Sequence, residues 1–134
     1  MGNAKILIAE DESIVALDIK KRLERLGFTV AAVATSGEEA VRRAAETRPD
    51  LVLIDIRLKG AMDGIEAAEA IRARVRVPIL YLTAMSDAKT RRRAELTQNC
   101  GYLTKPIDGQ QLQTTVETAL DGWPDTKRQE ETGT

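Results

Sequence analysis

The chain has 134 residues, room for one domain with a two- or three-layer core, and its 43% hydrophobic content excludes a disordered chain. A net charge of −1 leaves no global pull toward nucleic acid or an anionic membrane, and aromatic residues at 3% point to aliphatic packing. There is one cysteine, Cys100, so an internal disulfide framework is excluded, and there is no histidine, which removes imidazole catalysis, imidazole metal sites and a phosphohistidine on this chain.

Apolar runs of strand length alternate with segments of helical period. "AKILIA" (4–9) reads as the first strand. Over 12–26, Val15, Ile19, Leu23 and Leu26 mark one face of a helix, which Gly27 ends. "FTVAAVA" (28–34) is a β-branched strand, followed by a capped helical segment (35–50) with Val41, Ala44 and Ala45 on one side. "LVLI" (51–54) is the third strand. The helix over 63–74 repeats Ile65, Ala68 and Ile71. "VPILYLT" (77–83) is the fourth strand, with its proline at the start, where a missing N–H is tolerated. A fourth helix with a thin apolar face is predicted over 86–96, then a fifth strand, "CGYLTK" (100–105), and a last helix marked by Leu112, Val116, Ala119 and Leu120.

Continuous apolar strands mean burial on both faces, the mark of a parallel sheet covered by helices. The reading is a single α/β domain: a doubly wound, flavodoxin-like sheet of five parallel strands, order 2-1-3-4-5, flanked by five helices. The domain is expected to span 1–120, with 121–134 a polar, disordered tail whose Trp123 either anchors its start against the last helix or stays half-exposed. No apolar stretch reaches the roughly 18 residues that cross a bilayer, and the acidic N-terminus is not a signal peptide, so a cytoplasmic chain is expected.

In such a sheet ligands bind outside the carboxyl ends of the strands. Polar residues gather there: Glu10 and Asp11 after the first strand, Asp55 after the third, Thr83 after the fourth, Lys105 and Pro106 after the fifth. Each has a separate explanation as a turn former or cap; their coincidence on one rim does not. Carboxylates brought together repel, by roughly 4 kcal/mol for two charges about 4 Å apart at an effective dielectric near 20. A hard cation relieves this, and oxygen-only ligands select Mg²⁺ or a relative such as Mn²⁺. A carboxylate beside that cation, a lysine and a threonine hydroxyl is equipped to attack phosphorus: Asp55 as nucleophile, Lys105 neutralising charge, Thr83 binding the product phosphate.

With the acidic pair of "IAEDE", the "PDLVLIDI" strand, "MDGIEA", "LTA" and "GYLTKP" in that order, the sequence resembles a response-regulator receiver domain of two-component signalling over about residues 4–120. The resemblance implies Asp55 as phosphoacceptor and Glu10, Asp11, Asp55 and the backbone carbonyl of Arg57 as ligands of Mg²⁺ (or Mn²⁺). It implies Lys105 as the partner of the phosphoryl group, a cis bond between Lys105 and Pro106, and Thr83 with Tyr102 as the switch pair. The phosphoryl donor is then a sensor histidine kinase or a histidine phosphotransfer protein, and a face made by the fourth helix, fifth strand and last helix switches to bind an effector protein of unknown identity. No direct nucleic-acid contact and no membrane insertion are expected, and the domain is expected as a monomer or weak dimer. The chain is read as a signalling domain with self-catalysed phosphotransfer and autodephosphorylation, not a turnover enzyme. An aspartyl phosphatase of the haloacid dehalogenase type needs an acid where Arg57 stands. The alternative is a phosphorylation-independent pseudo-receiver that only binds partners. Two departures stand out: Glu10 where the family more often has Asp, and a loop "IRLKGAMDG" about one residue long of the usual length and without its proline. Arg57 and Met85 are expected to flank the phosphate, and Arg91, Arg92 and Arg93 to offer a partner-binding face.

Overall fold

A computed structural model describes residues 4–84, 92 and 101–122. Of the predicted fourth helix, Arg92 alone is among these, exposed and in helical backbone; Met85, Arg91, Arg93, Cys100, Trp123 and the tail lie outside the described residues.

Five strands, β1 (Lys5–Ala9), β2 (Thr29–Ala34), β3 (Leu51–Asp55), β4 (Ile79–Thr83) and β5 (Gly101–Thr104), form one sheet in the order β2-β1-β3-β4-β5. Every neighbouring pair is parallel. Helices α1 (Ser13–Arg25), α2 (Gly37–Thr47), α3 (Gly64–Arg72) and a C-terminal helix (Gly109–Gly122) cover it. The predicted fold class and strand order hold.

Alternate residues of each strand enter two separate cores. Leu7, Val52, Ile54, Ile79 and Tyr81 pack with Ala40 and Ala44 of α2 and with Ile65, Ala68 and Ile71 of α3. Ile6, Ile8, Leu51, Leu53, Leu80 and Leu82 pack with Ile19 and Leu23 of α1 and with Leu112, Val116 and Ala119 of the C-terminal helix. That is why the strands read as unbroken apolar runs rather than alternating ones. Each fully buried Leu or Ile contributes about 1.5–3 kcal/mol relative to exposure, so the central strands form a rigid mount.

Details of the predicted faces shift. On α2 Gly37, Ala40 and Ala44 are buried, with Val41 partly covered and Ala45 exposed. On α1 Ala16, Ile19 and Leu23 are buried, while Val15 and Leu26 only flank the core. Strand β4 begins at Ile79, and Pro78 lies just outside it, its carbonyl accepting from the Val52 N–H at 3.0 Å. The cap predicted before α2 is Ser36, whose hydroxyl accepts from the Glu39 N–H at 3.1 Å. Asp63 caps α3 in a reciprocal capping box with Glu66.

Candidate functional site

The carboxyl end of β1 runs directly into three acids. Glu10 is fully buried, and its N–H continues the pairing with β2 by donating to the Ala34 carbonyl at 2.9 Å. This fixes its backbone and turns its side chain toward β3. One carboxylate oxygen, Oε2, accepts from the Glu12 N–H at 3.0 Å. Asp11 Oδ2 accepts from the Lys59 N–H at 3.3 Å, a long bond that ties it to the loop after β3.

Asp55 is the last residue of β3 rather than the first residue after it, paired across to Leu82 and buried. Its Oδ1 accepts from the Arg57 N–H at 2.9 Å, leaving Oδ2 to face the neighbouring strands. The chain then turns back and starts α3 at Gly64, whose N–H donates to the Ile56 carbonyl at 2.8 Å. A Cβ on Gly64 would collide with the Asp55 carbonyl oxygen. Glycine is therefore what lets α3 begin pressed against the strand that carries Asp55.

Lys105 follows β5, its N–H bonded to the Thr83 carbonyl at 2.9 Å and its bond to Pro106 cis. Its Nζ donates to Asp55 Oδ2 at 2.7 Å. The same nitrogen lies 2.9 Å from Glu10 Oε1 and 3.7 Å from Glu12 Oε1. The Glu10 contact is an ion pair off the hydrogen-bond axis, so Oε1 keeps acceptor capacity.

Glu10 and Lys105 both depart from their ordinary values. Burial pushes Glu10 above its ordinary value and the Asp55 charge adds to this, against the pull of the Lys105 ammonium and the Glu12 N–H. Burial alone would lower Lys105, but the Asp55 and Glu10 carboxylates outweigh it and hold the ammonium above the usual lysine range.

One oxygen each from Glu10, Asp11 and Asp55 lies within 4.8 Å of the others. Three oxygen donors with no nitrogen or sulfur suit a hard divalent cation that keeps several waters, and the spare capacity of Glu10 Oε1 fits that use.

The structure thus brings Glu10, Asp11, Asp55 and Lys105 to one mouth. Thr83 ends β4, the strand between those of Asp55 and Lys105, and is half-buried at the same rim. Tyr102 lies deeper: it pairs across to Tyr81, the ring centroids 6.1 Å apart, and packs on the α2–α3 side of the sheet. Arg57 is exposed beside Asp55. Two participants went unread in the sequence. Glu12 was part of the acidic run but its reach to Lys105 was not expected, and Gly64 gave only the start of a helix.

Residues 6–117 match the response regulator receiver domain family. The chain belongs to that family. As a receiver domain it is 35% identical over 116 residues to the transcriptional regulatory protein PdtaR of Mycobacterium tuberculosis, covering 87% of this chain and 56% of that protein. It is 37% identical to ZraR of Escherichia coli, covering 88% of this chain and 26% of that protein. The receiver domain therefore spans about half, or less, of the curated relatives it matches. Among solved structures, the signal receiver domain of a modulated diguanylate cyclase from Desulfovibrio desulfuricans superposes with a TM-score of 0.86 at 39% identity, over 90% of this chain and 96% of that one. The chemotaxis protein CheY4 of Vibrio cholerae gives 0.79 at 26% identity, over 87% and 98%. Receiver domains are signalling modules of two-component systems, generally not enzymes, and bind Mg²⁺ in an acidic pocket; Glu10, Asp11 and Asp55 form such a cluster here. Among the described residues no helix is long and apolar enough to cross a membrane.

Proposed function

We propose that this receiver accepts a phosphoryl group from a phosphohistidine of a separate protein onto Asp55. The observation that carries the reading is the 2.7 Å bond from Lys105 Nζ to Asp55 Oδ2 inside a three-carboxylate cluster. Glu10, Asp11, Asp55 and the backbone carbonyl of Arg57 are the residues that would hold Mg²⁺ or Mn²⁺. When bound, the cation neutralises the cluster and the phosphoryl oxygens.

An Asp55 oxygen forms a bond to phosphorus while the P–N bond breaks and its electron pair leaves on the imidazole nitrogen of the donor. Lys105 Nζ then exchanges a carboxylate oxygen for a phosphoryl oxygen, and the Thr83 hydroxyl donates to another. Phosphorylation adds about −1.5 to −2 charges at Asp55, enough to re-aim both residues. Tyr102, next to β4 in register, is the residue we assign to follow Thr83, passing the change to the face of β5, the C-terminal helix and the predicted fourth helix, where an effector binds. The donor is a histidine kinase or phosphotransfer protein. Ile14 and Leu17, 83% and 51% exposed on the first turns of α1 beside Asp11, offer it an apolar lip. The working unit is residues 1–120, acting in the cytoplasm.

Incubation with acetyl phosphate and Mg²⁺, read by intact-mass spectrometry, should add one phosphoryl group to the parent and none to Asp55→Asn. Labelling of Asp55→Asn at the parental rate would show that another residue is the acceptor. No labelling of the parent would favour a phosphorylation-independent interaction module.

A further inference from the structure

Glu12 occupies the N-cap position of α1 but makes no side-chain cap bond. Ser, Thr, Asp and Asn are preferred there, so a glutamate that leaves the helix uncapped forgoes local stability. Its carboxylate points the other way, with Oε1 3.7 Å from Lys105 Nζ. Three carboxylates therefore surround one ammonium, and their exposures are graded: Glu10 at 0%, Asp55 at 7% and Glu12 at 63%. The two inner acids are hydrogen-bonded by backbone N–H groups, from Glu12 and Arg57. Glu12 stands on the solvent side, where a phosphodonor must enter and its leaving group must depart.

We infer that Glu12 is a specificity-determining residue that selects the phosphodonor by the charge of its leaving group. The inference rests on Asp55 being the phosphoacceptor. In-line transfer forms the bond from the Asp55 oxygen to phosphorus and sends the leaving group out along the opposite direction, away from Asp55 and toward the mouth. With an acyl phosphate, the P–O bond breaks and its electron pair leaves on a carboxylate, which departs past the Glu12 charge. With a phosphoramidate, the P–N bond breaks and the pair returns to a nitrogen that already carries its protons and leaves as a neutral amine. A phosphohistidine is of this second kind. Counted from the free donor to the transition state at subsaturating donor, Glu12 opposes the first, whose leaving group turns from neutral to anionic, and not the second, whose leaving group turns from cationic to neutral. It also competes with the incoming phosphoryl oxygens for the outer side of Lys105; the –PO3 group is common to both donors, so the donor ratio reads the charge on the leaving group.

The test compares labelling rates with acetyl phosphate and with phosphoramidate, in Mg²⁺, for the parent, Glu12→Gln and Glu12→Ser. Both variants remove the charge, and serine restores a preferred cap. The acetyl phosphate rate, divided by the phosphoramidate rate, should rise about two- to fivefold in both, the span of an exposed, screened charge interaction. Added salt should shrink the difference by raising the parental ratio. A donor ratio unchanged in both variants, with the parent labelled, overturns the role of Glu12 alone. In that case the glutamate merely places negative charge at the α1 N-terminus, and the variants differ from the parent in thermal stability only. A parent labelled by neither donor overturns the phosphoacceptor reading and this inference with it.

Discussion

Gly64 and Asp55 share a contact that only glycine at position 64 permits: the α-carbon of the glycine faces the Asp55 backbone carbonyl so closely that a methyl group would strike it. The start of α3 and the end of β3 are thus locked together by an absence of side chain. Gly64→Ala should force α3 off the strand and cost about 1–3 kcal/mol, the range for overpacking. Urea unfolding measures the loss. A variant as stable as the parent would show that α3 moves away freely.

Lys105 makes stability depend on alkaline pH in a defined sense. Its folded-state pKa lies above that of the unfolded chain, so the folded state holds the proton more tightly. The stabilisation is complete below the ordinary lysine value of about 10.4 and drains away as pH rises above it. Thermal melts from pH 9 upward should therefore fall more steeply for the parent than for Lys105→Met. Parallel curves would mean that the ammonium gains nothing from its carboxylates.

Glu10 works against the habit of paired carboxylates. Because burial raises it, its contribution to stability is largest below the unfolded value near 4.5 and is lost as pH climbs through the raised folded value. Relative to Glu10→Gln, the parent should look best in acid and lose ground toward neutrality. An advantage that grows with pH would show that Lys105 more than offsets the desolvation.

Divalent cation should remove part of that strain. At ten times its dissociation constant Mg²⁺ stabilises a protein it binds only when folded by about 1.4 kcal/mol. Melts of the parent should shift upward with Mg²⁺ without any phosphodonor. Those of Glu10→Gln and Asp11→Asn should shift less at equal concentration. Equal shifts in all three would place the cation elsewhere.

Ile14 and Leu17 are solvent-facing, so Ile14→Ser and Leu17→Ser should change stability by no more than about 0.5 kcal/mol. Labelling by acetyl phosphate should be unchanged, and labelling by a phosphorylated histidine phosphotransfer protein should slow. If the protein donor labels the variants as fast as the parent, the lip has no part in docking.

The sheet was legible because its signal is redundant: Ile6 to Ala9 and Leu51 to Ile54 are apolar on both faces, and only a covered parallel strand needs that. Glu10, Asp11, Asp55 and Lys105 were legible for a related reason, since fold class alone sends every strand end to one rim. What escaped depends on distances that no periodicity encodes. Ala40 rather than Ala45 is buried on α2, because alanines at 40, 44 and 45 fit either stripe and tertiary packing decides between them. Glu12 read only as the start of the first helix, and the reach of Lys105 across from β5 gives it a second contact.

Asp55 and Lys105 stand 50 positions apart in the chain. A ribosome therefore delivers Glu10, Asp11 and Asp55 well before Lys105, whose amine bonds Asp55 in the folded sheet. A chain that stops short of β5 lacks the ammonium that lies among Glu10, Glu12 and Asp55, and its acidic rim would gather without that counter-charge.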